Sequence, residues 1–93
     1  MKILAVCGSG LGSSFMLEMN IKEALKKMGI EGVKVDHSDL SSLTKDMADY
    51  IVCGKDIAMA MKNFDNLVIL DNILDKTELT GKLKPVLSKE GLL

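Results

Sequence analysis

Three short apolar runs, Ile3-Leu4-Ala5-Val6, Tyr50-Ile51-Val52-Cys53 and Leu67-Val68-Ile69-Leu70, constrain the fold more than any other feature of the chain. None shows the polar alternation of a half-solvated strand, so each calls for cover on both faces. Strands buried in this way belong to parallel sheets with helices above and below. Val33-Lys34-Val35 is a shorter, half-polar version of the same pattern. The stretches between the runs are long enough for crossover helices. The expected fold class is therefore α/β, a small three-layer domain whose four-stranded parallel sheet is flanked by helices.

With 93 residues, the chain makes one domain, residues 1–93, with a single core. Twelve Lys plus Arg stand against 13 Asp plus Glu, no basic block occurs, and Phe15, Tyr50 and Phe64 are the aromatics. That balance argues against nucleic acid, whose phosphates call for a basic stripe and whose bases stack on aromatic rings. The run Ile3 to Val6 is too short for a signal peptide, and no stretch approaches the roughly 20 apolar residues of a membrane span. Two cysteines, Cys7 and Cys53, do not make a disulfide scaffold. A cytoplasmic protein with free thiols is expected.

Helical spacing predicts a first helix over about Ser14 to Met28, capped by Ser13 or Ser14 and stopped by Gly29. Leu17, Ile21, Ala24, Leu25 and Met28 form its core stripe, whereas Phe15 and Met19 intrude into the polar face among Lys22, Glu23 and Lys26. Shorter helices are expected near Leu40–Asp46 and Asp56–Lys62. Asp75-Lys76-Thr77-Glu78 has capping-box spacing. Beyond it, Gly81 and Pro85 predict a turn and then a final helix that kinks or starts near the proline.

The chemistry concentrates in Cys7-Gly8-Ser9-Gly10-Leu11-Gly12-Ser13-Ser14, between the first strand and the first helix. Ligands of open parallel sheets bind beyond the carboxyl ends of the strands, and this loop sits at one. Its glycines allow close backbone approach to an anion, and a helix start aims free N–H groups at it, so the segment reads as a phosphate cradle. A Walker loop would need a Lys before the final Ser, and none is present. The dinucleotide fingerprint is also mismatched, because Gly8, Gly10 and Gly12 give G-x-G-x-G. Asp36, placed like a ribose-binding acid, reads more simply as a solvated strand end.

Cys7 itself is the remaining candidate. Beside backbone amides and a helix N-terminus a thiolate is favoured, which predicts a lowered pKa and a nucleophile at neutral pH. The same amides would hold the oxygens of a phosphoryl group attached to sulfur. Cys53 ends its strand before Gly54-Lys55-Asp56, which offers no cradle, and reads as packing. Cys-x5-Ser-Ser is laid out like the low-molecular-weight tyrosine phosphatase loop, with Ser13 at the arginine position. Without that Arg, and without an Asp-Pro general acid near Asp71 or Asp75, a hydrolase lacks its main stabiliser. A site that accepts phosphate but hydrolyses it poorly is a carrier.

The opening Lys2 to Ser14 resembles the IIB component of the phosphoenolpyruvate-dependent sugar phosphotransferase system, in its ascorbate/galactitol (lactose/ascorbate-like) group. Within that group it is most similar to the ascorbate branch, with the galactitol type as alternative. Tyr50-Ile51-Val52-Cys53-Gly54-Lys55-Asp56-Ile57-Ala58 and Asp71-Asn72-Ile73-Leu74 resemble later parts of the same family. The resemblance implies a phosphotransferase component without cofactor. Cys7 would accept a phosphoryl group from a phosphohistidine of IIA and pass it to a sugar presented by the membrane component IIC. It also implies a phosphate loop over Gly8, Ser9, Gly10, Leu11, Gly12, Ser13 and Ser14, and work at the inner face of the membrane. Leu11, Phe15, Met16 and Met19 are the candidate docking patch, since flexible Met suits a surface that meets two partners. His37 reads as a solvated turn residue, Lys55 as a cation that leans toward the phosphate, and no Cys/His cluster has metal-ligand spacing.

Overall fold

The computed structural model describes residues 1–7, 11–44 and 46–93, with the backbone alone at Leu11 and Gly12. Its elements run β1 (Lys2–Cys7), α1 (Leu11–Lys27), β2 (Lys34–Asp39), a 3₁₀ turn (Leu40–Ser42), β3 (Tyr50–Gly54), α2 (Lys55–Ala58), β4 (Leu67–Leu70) and α3 (Lys76–Lys89). Every strand pairing is parallel, in the order β2-β1-β3-β4. Two of the apolar runs occupy the inner positions, with Ile3, Ala5, Val6, Ile51, Val52 and Cys53 all fully buried, and the third, Leu67–Leu70, forms an edge. This is the four-stranded α/β fold that the apolar runs predict.

Side-chain alternation divides the core into two layers. Ile3, Ala5, Val52 and Leu70 face α1 through Leu17, Ile21 and Leu25, and α3 through Leu79, Leu83 and Leu87. On the other face, Leu4, Val6, Ile51 and Cys53 pack under Met61, Leu43, Ile57 and Phe64. The chain leaves β1 for one edge of the sheet and returns past it to β3, which makes the β1/β3 boundary the topological switch point. Cys7 ends β1 at that boundary.

Several local expectations are corrected. The helix α1 starts at Leu11, so Ser13 and Ser14 lie within its first turns and do not cap it from outside. The strand β2 runs on to Asp39 because pairing with β1 extends from Lys34 opposite Lys2 to Asp39 opposite Cys7; His37 and Asp36 are therefore strand residues. Where a helix over Leu40–Asp46 was expected, a three-residue 3₁₀ turn forms, capped by Asp39, whose carboxylate accepts the Ser42 N–H at 2.9 Å. The third helix shrinks to the four residues of α2.

Near the C-terminus α3 is continuous through Gly81 and Pro85. Its stripe Leu79, Leu83, Leu87 is buried without interruption, while Gly81 and Pro85 lie on the exposed side, where water can satisfy the carbonyl that proline leaves unpaired. Packing overrides the local breaker. The Asp75 cap holds as predicted, accepting from Thr77 N and Glu78 N at 3.0 and 3.1 Å. Glu78, however, does not close the box. It accepts Asp71 N and Asn72 N at 2.7 and 3.0 Å and pins the loop after β4.

Candidate active site

Cys7 is the last residue of an inner strand, 6% exposed, with a free thiol. Gly8, Ser9 and Gly10, the heart of the predicted phosphate loop, lie outside the described residues. Leu11 to Ser14 follow as the start of α1, with Ser13 half-buried and Ser14 buried.

The environment of the thiol differs from the expectation. Burial pushes the Cys7 pKa up, and the Asp56 carboxylate pushes it further in the same direction. The predicted lowering rested on backbone amides and the helix N-terminus that follow Cys7, whereas among the described residues burial and a neighbouring negative charge dominate. Lys55, expected as a helping cation, is exposed at the start of α2, and the charge that reaches Cys7 from this helix is that of Asp56.

Cys53 is fully buried on the layer with Leu4, Val6 and Met61, as a packing residue should be. Its pKa is pushed up to about 11, by burial first and then by Asp56 and Cys7. Val6 stands opposite Cys53, so Cys7 is one residue out of step and its side chain points to the other face of the sheet. A Cys7–Cys53 bridge would need the backbone to move.

The predicted docking residues emerge on the outer side of α1. Phe15, Met16 and Met19 are 49, 52 and 53% exposed, so none of them packs under α3; the Leu11 side chain lies outside the described residues. Phe15 meets the His37 ring edge-on, with centroids 5.7 Å apart.

Sequence reasoning missed the group beneath this pair. Glu18 is 6% exposed. One carboxylate oxygen accepts a short hydrogen bond from His37 Nδ1, and the other lies 2.6 Å from Lys22 Nζ. These bonds, from Lys22 foremost and then His37, lower its pKa. Asp36 joins them, so that donor atoms of Glu18, Asp36 and His37 lie within 4.8 Å of one another. Lys22 already neutralises the buried carboxylate, and the cluster serves as an ion-pair strut between α1 and β2. The available signal was the position of Glu18, three residues before Ile21 and seven before Leu25, inside the apolar stripe.

A thiol at the switch point of an open parallel sheet stands where such sheets bind their ligands, the layout of a small α/β ligand-handling domain. The family model described as "PTS system, Lactose/Cellobiose specific IIB subunit" matches residues 2–85, and the chain belongs to this family. PTS IIB domains are phosphoryl carriers and phosphotransferase components of sugar transport. Among solved structures, the lactose-specific IIB component domain from Streptococcus pneumoniae is similar in fold, with TM-score 0.65, 20% identity and 95% of each chain covered. A search of curated proteins finds no match. The family description names lactose and cellobiose, and the ascorbate branch expected from the opening motif is not what it names. Among the described residues no helix is long and apolar enough to cross a membrane.

Proposed function

We propose that Cys7 is the phosphorylated nucleophile of this IIB domain, taking its phosphoryl group from a phosphohistidine of IIA and giving it to a sugar held by the membrane component IIC. The observation that carries the reading is the position of Cys7 at the end of inner strand β1, at the switch point of the sheet, in a chain whose family transfers phosphate. In the first step the sulfur–phosphorus bond forms as the nitrogen–phosphorus bond breaks, and the thiol proton passes to the departing imidazole. In the second, a sugar hydroxyl attacks phosphorus, the sulfur–phosphorus bond breaks, and the hydroxyl proton restores the thiol.

Backbone amides of Gly8, Ser9, Gly10, Leu11 and Gly12, with Ser13 and Ser14 at the helix start, are the proposed phosphate cradle. Leu11, Phe15, Met16 and Met19 are the proposed patch for IIA and IIC, supported by the exposure of the last three beside the Cys7 end of α1. The domain would work at the inner face of the membrane, through IIC. For the sugar, the opening motif favours L-ascorbate, and the family description supports a second reading in which it is lactose or cellobiose. Transport of each sugar with its matched IIA and IIC separates these.

Incubation with phosphoenolpyruvate, the general components and a matched IIA, followed by intact mass, tests the carrier reading. One phosphoryl group is expected on the wild type and on Cys53→Ala, and none on Cys7→Ala. No gain on the wild type overturns the proposal. Rapid turnover of p-nitrophenyl phosphate would instead indicate the phosphatase-like alternative.

A further inference from the structure

The segment after β3 bears on the reactivity of Cys7 in a way that the carrier reading leaves open. Because Val6 pairs with Cys53, the next step along both strands sets Gly54 beside Cys7. Alternation puts the missing Gly54 side chain on the same face as the Cys7 thiol, one strand spacing of ~4.8 Å away. That space is filled. Asp56 Oδ1 lies 2.6 Å from the point where a Gly54 Cβ would stand, and Ile73 Cγ2 lies 3.2 Å from it. Gly54 is thus the residue that lets the carboxylate fold back over the strand end toward Cys7.

We propose that Asp56 is a positioning residue for the transfer chemistry: its carboxylate, folded over Gly54, opposes added negative charge at Cys7 and so makes a phosphoryl group there ready to leave. This rests on Cys7 being the phosphoryl acceptor. A carrier must release what it accepts, and a site lined only with amide donors would hold the dianion too well. A carboxylate one strand away raises the free energy of the thiolate and of the S-phosphoryl dianion, while leaving the neutral thiol nearly untouched. The upward push on the Cys7 and Cys53 thiols, to which burial contributes first and Asp56 next in both cases, includes the same field acting on the unphosphorylated protein.

The other ionisable groups around the thiol are placed differently. Asp39, beside Cys7 on β2, has its carboxylate committed to the Ser42 N–H at 2.9 Å. Cys53 faces the opposite layer. Lys55 is exposed at the start of α2, and Asp71 follows β4, one strand beyond Gly54. No acidic residue lies in the first turn of α1.

The test is the pH profile of Cys7 alkylation by iodoacetamide, read by intact mass in a Cys53→Ala background. Asp56→Asn should lower the midpoint by roughly half to one pH unit, a rise of about three- to tenfold in the rate at neutral pH. Asp56→Glu should restore most of the wild-type profile, and Asp71→Asn should leave it in place. Added salt should shift the profile of the wild type more than that of Asp56→Asn, since the carboxylate is solvent-exposed. An unchanged midpoint in Asp56→Asn, or an equal shift in Asp71→Asn, overturns the proposal. In equilibrium with phosphorylated IIA, the phospho-to-free ratio of Asp56→Asn should rise by a similar factor, and a ratio equal to the wild type overturns the link to transfer. If the wild type takes up no phosphoryl group, the carrier reading falls, while the alkylation profile still decides whether Asp56 acts on Cys7.

Discussion

Replacing Glu18 with Gln removes the charge from the strut between α1 and β2, beneath the proposed docking patch, while keeping the shape of the side chain. Stranding one member of an ion pair in the interior costs about 3–5 kcal/mol. That limit does not apply here, because Lys22 and His37 are 55 and 39% exposed in their side chains and water takes over the bonds they lose. What remains is the loss of two charge-assisted hydrogen bonds at a buried acceptor, partly compensated by the amide oxygen. Discounted for that exposure, the destabilisation is about 1–2 kcal/mol. For a domain of this size it lowers the melting temperature by roughly 5–15 °C. Urea titrations followed by far-ultraviolet circular dichroism measure it directly. The pH dependence gives a second check, since the folded pKa of Glu18 lies below its ordinary 4.5. The folded state therefore binds fewer protons than the unfolded state in that window, and the stabilisation is complete above pH 4.5 and fades as pH falls through the folded value. The gap between wild type and Glu18→Gln should be widest at neutral pH and close in acid. Equal stability at neutral pH, or a gap that persists unchanged in strong acid, would refute the reasoning.

Two further outcomes are expected. The Glu78 carboxyl is held down to about 2 by the N–H groups of Asp71 and Asn72 and by Lys82, so its stabilisation is present above pH 4.5 and lost between there and about 2; urea midpoints of wild type and Glu78→Gln should differ at neutral pH and converge toward pH 2, and a constant difference counts against it. Phe15→Asp, on a half-exposed side chain, should leave the circular dichroism spectrum unchanged but slow phosphoryl uptake from IIA at limiting concentration; an unchanged rate removes the support for the docking patch.

The fold was legible because it follows from hydrophobicity summed over short runs. Residues 3–6, 51–53 and 67–70 are apolar throughout, a pattern that calls for a sheet covered on both faces, whereas which of these runs became the edge strand was decided by the pairing. Where the structure departs from the sequence reading, a long-range contact decided. Pairing with β1 carried β2 on to Asp39, and the buried leucines of α3 held the helix together across Pro85.

For the site, the chain by itself determined that Cys7 ends a strand ahead of a glycine-rich segment, because those facts are adjacent in sequence. Only the tertiary structure decided the electrostatics. Glu18 and His37 are 19 positions apart, and Asp56 is 49 residues beyond Cys7, yet the packing of α1 on β2 joins the first pair and the β1/β3 register brings the second together. Local sequence reasoning saw the helix start and predicted a lowered thiol pKa. Folding added burial and a carboxylate from a distant turn, and these push it the other way, because charges act through space rather than along the chain.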